Sequence, residues 1–458
     1  MSEARLTSIE LPDFGRPEAM PALSPAVHAA RVERLRERAE RRGYERIVVY
    51  ADREHSANMS YLTGFDPRFE EAILVLGPVD QPAILVGNEC WGVAGAAPLP
   101  MRRTLLQDLS LPSQPRDGSR PLASILADEG IGTGSRIGVV GWKSYASRAT
   151  IEVPAFIVDE LRRLVGATGR VENANDLLID AADGLRVVNE AEQLACFEWA
   201  ACQTSGGVRD LLRGLEPGMT EQAVVRLLGW LGTPLSCHLM LSAGPRATLG
   251  LLSPTDRVIE RGDRFTVAFG VWGALNCRAG FVVEDAAQLP SGIEDYVERL
   301  VAPYFAAIAE WYRALRVGVT GGELAGIVDR HLGDPFFGIF LNAGHQIHLD
   351  EWVNSPIAAG STIELRSGMA LQADVIPATG SDYFTTNIED TLAIADASLR
   401  ATFSAAYPAA WARIEARRAF MREALGIELH PDVLPFSNIP AVLSPFVLRP
   451  DRAMALVA

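Results

Sequence analysis

The sequence predicts two domains, an α/β unit followed by an α+β unit, and three observations lead there. Apolar runs of strand length alternate with helical segments over residues 1–183. Over residues 184–440 the pattern changes to long amphipathic helices followed by short strands punctuated by Gly and Pro. At 458 residues the chain can also bury more than one core.

In the first domain, Ser24 and Pro25 read as an N-cap and first-turn pair. The helix they open is expected to reach Arg42, with Val27, Val32, Leu35 and Ala39 along one side before Gly43. Strands are expected at Ile47 to Tyr50, Ala72 to Leu76, Pro82 to Val86 and Ile137 to Val140, with helices at Leu122 to Asp128 and Val153 to Leu164.

In the second domain, Asn189 is the expected cap of a long helix whose third position is Glu192 and whose buried side carries Leu194, Phe197, Val208 and Leu211. Thr220 is the expected cap of the next helix, which should run through Leu228. Gly218-Met-Thr220 is echoed by Gly318-Val-Thr320, which predicts two similar halves about a pseudo-twofold axis with a site between them. Ser398 to Arg418 is helical in propensity with an interruption at Pro408. Residues 441–458 form a tail too apolar for disorder, expected to pack on the body or on a partner subunit.

Composition narrows the function. A 48% hydrophobic share with 22% charged residues belongs to a folded globular chain. The 42 basic against 57 acidic residues, a net charge of -15, exclude a phosphate backbone as the natural partner. No apolar run approaches the ~20 residues of a membrane helix, and the first residues lack the basic start and apolar core of a signal peptide. Cys90, Cys196, Cys202, Cys237 and Cys277 are odd in number and form no CxxC pair, which suits a reducing cytoplasm rather than a disulfide framework or zinc finger.

The chemistry-bearing residues lie late in the chain. Gly344-His345-Gln-Ile-His348-Leu-Asp350-Glu351-Trp352 places two histidines three apart, on one side of a helix or turn but on opposite faces of a strand. The adjacent acids could orient an imidazole or raise its basicity. Asp374 and Glu389-Asp390 sit in apolar strand patterns, where an acid costs several kcal/mol unless it is paired, as with Arg278 or Arg366, or metal-bound. Cys277 beside Arg278 is a candidate nucleophile, with His345 or His348 as its base.

Together with Asn58-Met-Ser-Tyr61-Leu-Thr-Gly64-Phe65, Glu216-Pro-Gly-Met-Thr-Glu221, Arg261-Gly-Asp263, Ser367-Gly-Met369 and Ile388-Glu-Asp390-Thr, in the same order and spacing, these motifs resemble the creatinase, Xaa-Pro aminopeptidase and prolidase family. The resemblance implies a creatinase-like N-terminal α/β domain and a "pita-bread" α+β C-terminal domain. In the family's metallopeptidases two aspartates, a histidine and two glutamates hold a pair of divalent ions. The histidine position falls here on His345, the last glutamate on Glu389 and the first on Asp374, whereas the aspartate positions fall on Ala268 and, by spacing, Ala279.

Without those aspartates a metal pair is not expected, because two close cations need bridging carboxylates. The expected site is metal-free, with a single divalent ion on His345, Asp374 and Glu389 as the alternative. The position of the creatinase-type histidine base falls on Leu251, which leaves His238 upstream as a substrate contact. Trp352 stands near the place of a further family histidine, and Trp352 or Trp272 could hold an ammonium or guanidinium by cation-π contact, alongside Arg278 and His348.

The function expected is a hydrolase-like enzyme acting on a C–N bond of a small amine- or guanidine-bearing substrate. His345 would move the proton, while Asp374 and Glu389 orient the substrate. A single-metal Xaa-Pro aminopeptidase or dipeptidase and a non-catalytic binding protein are the alternatives. The partners expected are a small molecule or short peptide and a second copy of the chain, with neither nucleic acid nor membrane.

Overall fold

A computed structural model describes residues 3–457, and they divide into two compact units. One is Leu23–Val187; the other joins the described residues through Ala22 to those from Val188 onward. The first residues were expected in the α/β domain, but β1 (Glu3–Ser8) pairs antiparallel with β16 (Arg452–Val457). Such a pairing joins opposite ends of the chain and leaves no local pattern. The same pairing places the apolar tail on the body of its own unit. Among the described residues no helix is long and apolar enough to cross a membrane.

The 23–187 unit holds a six-stranded mixed sheet of β2 (Arg46–Ala51), β3 (Ala72–Leu76), β4 (Ala83–Val86), β5 (Arg102–Leu105), β6 (Arg136–Val140) and β7 (Arg170–Asn173). The strand order is β5-β4-β3-β2-β6-β7. The four apolar strands fall where the sequence predicts them. The two edge strands were missed because Arg-Arg-Thr-Leu and Arg-Val-Glu-Asn carry charge instead of an apolar run, as edges often do. Helices Pro25–Arg41, Leu122–Asp128 and Ala155–Val165 also match to within two residues.

The Asn58–Phe65 motif of this unit is structural. It forms the helix Ala57–Thr63, buried along its whole length and stopped by Gly64 in the left-handed conformation. Asn58 Nδ2 donates to the Gly141 carbonyl at 2.9 Å, Arg186 donates to Asn58 Oδ1 at 2.8 Å, and the Tyr61 hydroxyl donates to the Leu185 carbonyl at 2.9 Å. These bonds satisfy polar groups that would otherwise be costly to bury.

The other unit holds two four-stranded sheets, antiparallel throughout. One has the order β13-β10-β9-β8, built from β8 (Met240–Ala243), β9 (Arg264–Val271), β10 (Ala274–Phe281) and β13 (Asn387–Glu389). The second has the order β11-β12-β14-β15, built from β11 (His345–Gln346), β12 (Ala370–Gln372), β14 (Thr391–Ile394) and β15 (Val433–Pro435). Only Asp390 separates β13 from β14, so the chain passes from one sheet to the other at that residue.

The helix Ala191–Gly214 lies in this unit's core with Leu194, Phe197, Val208 and Leu211 buried. Its N-cap is Glu190 rather than Asn189, whose backbone and side-chain N–H groups instead donate to the Gly368 carbonyl at 2.9 and 3.0 Å. Thr220 caps Glu221–Val225 by accepting from the Ala223 N–H, and a 3₁₀ turn completes the segment to Leu228. Thr320 caps Gly321–Leu332 in a full capping box with Glu323. The Gly218 N–H donates to Ile259 and the Gly318 N–H to Leu365, each at 2.8 Å, so the two Gly-x-Thr turns share their local bonding. The helices Ala397–Ala406 and Pro408–Glu423 bracket the expected interruption.

Glu198 on the long helix is fully buried, and Arg413 and Arg417 clamp it, with donor distances of 2.6 to 2.9 Å. Burial pushes its carboxyl up, but Arg417 and Arg413 outweigh this and hold it below the usual range. The clamp therefore stabilises the fold above the unfolded carboxyl pKa and is lost as pH falls through the depressed one. Arg417→Met, which leaves the buried charge with Arg413 as its one guanidinium partner, is expected to cost about 3 kcal/mol in denaturant unfolding at pH 7. A loss under about 1 kcal/mol, the level of an exposed pair, would show that the clamp carries little of the stability.

Candidate functional site

The chain is shaped around His345 by its backbone. Gly344 adopts φ 111, and a Cβ there would meet the Gln372 carbonyl at 2.9 Å and the Trp311 ring at 3.2 Å. Only glycine lets β11 approach β12 so closely. Beyond β11 the loop turns back, closed by the Gln346 N–H to Asn354 carbonyl bond at 2.8 Å and the Val353 N–H to Gln346 carbonyl bond at 3.0 Å. That closure returns Glu351 and Trp352 to His345. The rings of Trp352 and His345 stack at 4.1 Å and 16°. His345 is completely buried while Trp352 keeps 37% exposure, so the indole covers the imidazole on its outer side.

His345 Nδ1 lies 3.2 Å from the Gln346 carbonyl, and Nε2 faces three carboxylates. Its distances are 3.2 Å to Glu351, 3.6 Å to Glu389 and 3.8 Å to Asp374. One donor atom from each of His345, Glu351 and Glu389 lies within 4.8 Å of the others. Asp374 Oδ1 is buried with no hydrogen-bond partner. Three acids around one base leave an excess of buried negative charge, and such a group is stable only with a cation or with protons.

The proton affinities reflect this. Burial works against charge on His345, but the bonds to Glu351 and Glu389 and the field of Glu351 and Asp374 hold its pKa well above the usual value. Burial, offset in part by His345, pushes Asp374 up to about 6. Burial and the neighbouring Asp374 push Glu389 well above the carboxylate range.

The sheet register adds a further row. Met240, Ala268, Cys277 and Glu389 lie directly opposite one another across β8, β9, β10 and β13, and opposed residues share a face. Spacing put the position matching Ala268 at Ala279, but Ala279 is opposite Thr266 and Asn387. The hairpin turns on Trp272 and Gly273 alone, with Val271 paired to Ala274, which brings Cys277 opposite Ala268. Neither β9 nor β10 contains an aspartate.

His345, Asp374, Glu389 and Trp352 are thus brought together, and Cys277 stands beside Glu389. As a nucleophile Cys277 is poorly placed: burial, Glu389 and Asp374 raise its thiol pKa well above the ordinary value, and Arg278 offsets this only in part. Arg278 is not a substrate contact. It lies across the sheet from the Glu389 side chain and donates to Asp390 at 2.9 and 3.1 Å and to the backbone carbonyls of Glu389, Ile439 and Val442.

His348 packs edge-on against Phe197 at 5.0 Å. Trp272 occupies the hairpin turn, four residues and roughly 13 Å of strand beyond Ala268. His238 is exposed, with Nε2 2.8 Å from the Leu251 carbonyl. Two residues were missed as members of the site. Glu351 was read only as a possible orienting neighbour, and Cys237 was counted only among the scattered cysteines; burial, Glu351 and Glu389 push the Cys237 thiol up to about 12.

In chelator-treated protein the native state keeps Asp374 protonated to higher pH than the unfolded chain does, so stability falls as pH rises from 3.8 to about 6. Asp374→Asn removes that dependence. Its stability gain over the parent, measured by urea unfolding, is expected to grow from near zero at low pH to at most about 3 kcal/mol at neutrality. A gain independent of pH would refute the charge-burial account.

No family model matches the chain. Among curated proteins, "Uncharacterized peptidase YqhT" of Bacillus subtilis (strain 168) is 24% identical over 227 residues, 47% of this chain, and the match spans 62% of that relative's length. Solved structures match far more of the chain. The prolidase from Pyrococcus horikoshii OT3 superposes with a TM-score of 0.61 at 14% identity, over 80% of this chain and 95% of that one. The Xaa-Pro dipeptidase from Bacillus anthracis gives 0.61 at 15%, over 81% and 96%. Dipeptidase PepE from Mycobacterium ulcerans gives 0.58 at 19%, over 83% and 95%. The chain thus shares its fold with these prolidase and Xaa-Pro dipeptidase structures.

Proposed function

We propose that this chain is a hydrolase of a C–N bond in a short peptide or small amine-bearing molecule, with one divalent cation held by His345, Glu351 and Glu389. The observation that carries this reading is the buried excess of carboxylate around one imidazole. The expectation of a metal-free site counted only His345, Asp374 and Glu389; Glu351 supplies a further carboxylate within reach of the same nitrogen. One nitrogen and several carboxylate oxygens suit a single borderline divalent ion. When bound, the ion supplies positive charge that polarises a carbonyl and acidifies water.

The remaining roles belong to the chain. Asp374, 3.8 Å from His345 Nε2 and with a buried oxygen that has no hydrogen-bond partner, is the group placed to take and return a proton. Trp352 keeps bulk water off His345 and offers its exposed side to substrate. The matched Gly-x-Thr turns support the two-halves reading, and His345 and Glu389 come from different sheets. A cytoplasmic homodimer remains part of the proposal, supported by five free thiols and by the exposed apolar side chains Trp230, Leu231, Leu249 and Leu251.

A second reading lets the ammonium or guanidinium of a substrate supply the missing cation, and the half-exposed Trp352 face favours it. Metal analysis and calorimetry separate the two. The leading reading expects about one tightly bound divalent ion per chain, lost in His345→Ala and Glu351→Gln. It also expects turnover of Xaa-Pro dipeptides or of ureido and guanidino compounds, reduced at least about a hundredfold in both variants. Absence of bound ion with turnover intact supports the substrate-cation reading, whereas tight binding without turnover across the panel indicates a binding protein.

A further inference from the structure

The strand that carries Glu389 has a neighbouring strand on one side only. β13 is three residues long and stands at the end of its sheet. A residue of an antiparallel strand turns its N–H and C=O to the same edge, and an open edge leaves such groups in need of partners. At Ile388 one side chain meets both: the Ile388 N–H donates to the Tyr304 hydroxyl at 2.8 Å, and that hydroxyl donates to the Ile388 carbonyl at 3.3 Å. A single phenol thus stands in for the missing strand, beside the residue next to Glu389. Tyr304 is completely buried, and burial, offset in part by the Ile388 bond, holds its hydroxyl well above the ordinary pKa, so it keeps the proton it donates.

The helix that bears Tyr304 is shaped for this contact. Ala302–Ala314 continues from a π-turn over Val297–Val301. Residues eight apart on a regular α-helix lie about 80° out of phase, but a widened turn takes up that excess. Tyr296, eight residues before Tyr304 and across the wide turn, therefore reaches the same segment, its hydroxyl donating to the Thr385 carbonyl at 2.8 Å. Tyr312, eight residues after Tyr304 along regular helix, has rotated off that line, and its buried hydroxyl has no hydrogen-bond partner.

Resting on the single-cation reading above, we propose that Tyr304 is a positioning residue, bracing β13 so that the Glu389 carboxylate meets the ion it shares with His345 and Glu351. Without the hydroxyl, a short strand tied along one edge is free to shift, and the carboxylate shifts with it.

The test uses the full chain, stripped with chelator and titrated with Zn²⁺ alone. Tyr304→Phe keeps the ring and removes the hydroxyl. It is expected to weaken Zn²⁺ binding about tenfold, the effect of losing an outer partner of a ligand, and to speed hydrogen exchange at the Ile388 amide. Tyr312→Phe removes a buried hydroxyl that bonds nothing and is expected to change neither. A double-mutant cycle separates positioning from general loosening. In Glu389→Gln protein, Tyr304→Phe should weaken binding by less than about twofold, because the carboxylate it serves is already gone. An equal loss in both backgrounds overturns the positioning role and leaves the cation reading standing, as does Zn²⁺ affinity unaltered in Tyr304→Phe. A parent chain that binds no Zn²⁺ overturns the cation reading, and the role of Tyr304 with it.

Discussion

The site depends on how two consecutive acids are divided between the faces of one strand. At the step from β13 to β14, Asp390 turns to one face, where Arg278 and Asn276 donate to it and the Ala441 N–H adds a bond at 2.7 Å. Both partners of this ion pair are buried, and its hydrogen bonds make the burial tolerable. With Asp390 satisfied, the Glu389 side chain points to the opposite face, where its ion-pair partner among the described residues is His345. Its nearest charged partner there is His345, itself surrounded by two other acids.

That imbalance distinguishes the cluster from the other buried charges of the chain. Glu198 shows the ordinary solution, one acid held by two guanidinium groups and kept ionised. Around His345 the ratio is reversed, and Asp374 and Glu389 are held towards the protonated form. A protein that buries acids in this way gains nothing in stability, so the arrangement is explicable as a receptor for positive charge. The aromatic cover of Trp352 marks the side from which such a charge can be reached.

Much of the fold was legible from local pattern. The apolar strands of the 23–187 unit, the long helix and both threonine caps declare themselves through periodicity and capping chemistry that operate within a few residues. The caps illustrate the limit as well. Thr220 and Thr320 behave as their sequences suggest, whereas Asn189 has equal chemical credentials and is taken by the Gly368 carbonyl, a partner far along the chain. Strands β5 and β7 were hidden for a related reason, since a charged edge strand exists only because a neighbour offers it hydrogen bonds.

The site divides along the same line. Residue identity and order were enough to single out His345, Asp374, Glu389 and Trp352, because acids in apolar strands are costly unless used and the motifs around them resemble those of a known family in order and spacing. What needed the folded chain was register and return. A two-residue hairpin turn puts Cys277 rather than Ala279 opposite Ala268, and a closed loop brings Glu351 back to a ring six residues earlier. Both depend on hydrogen bonds between segments distant in sequence, and a shift of one residue in such a ladder exchanges the buried face for the other.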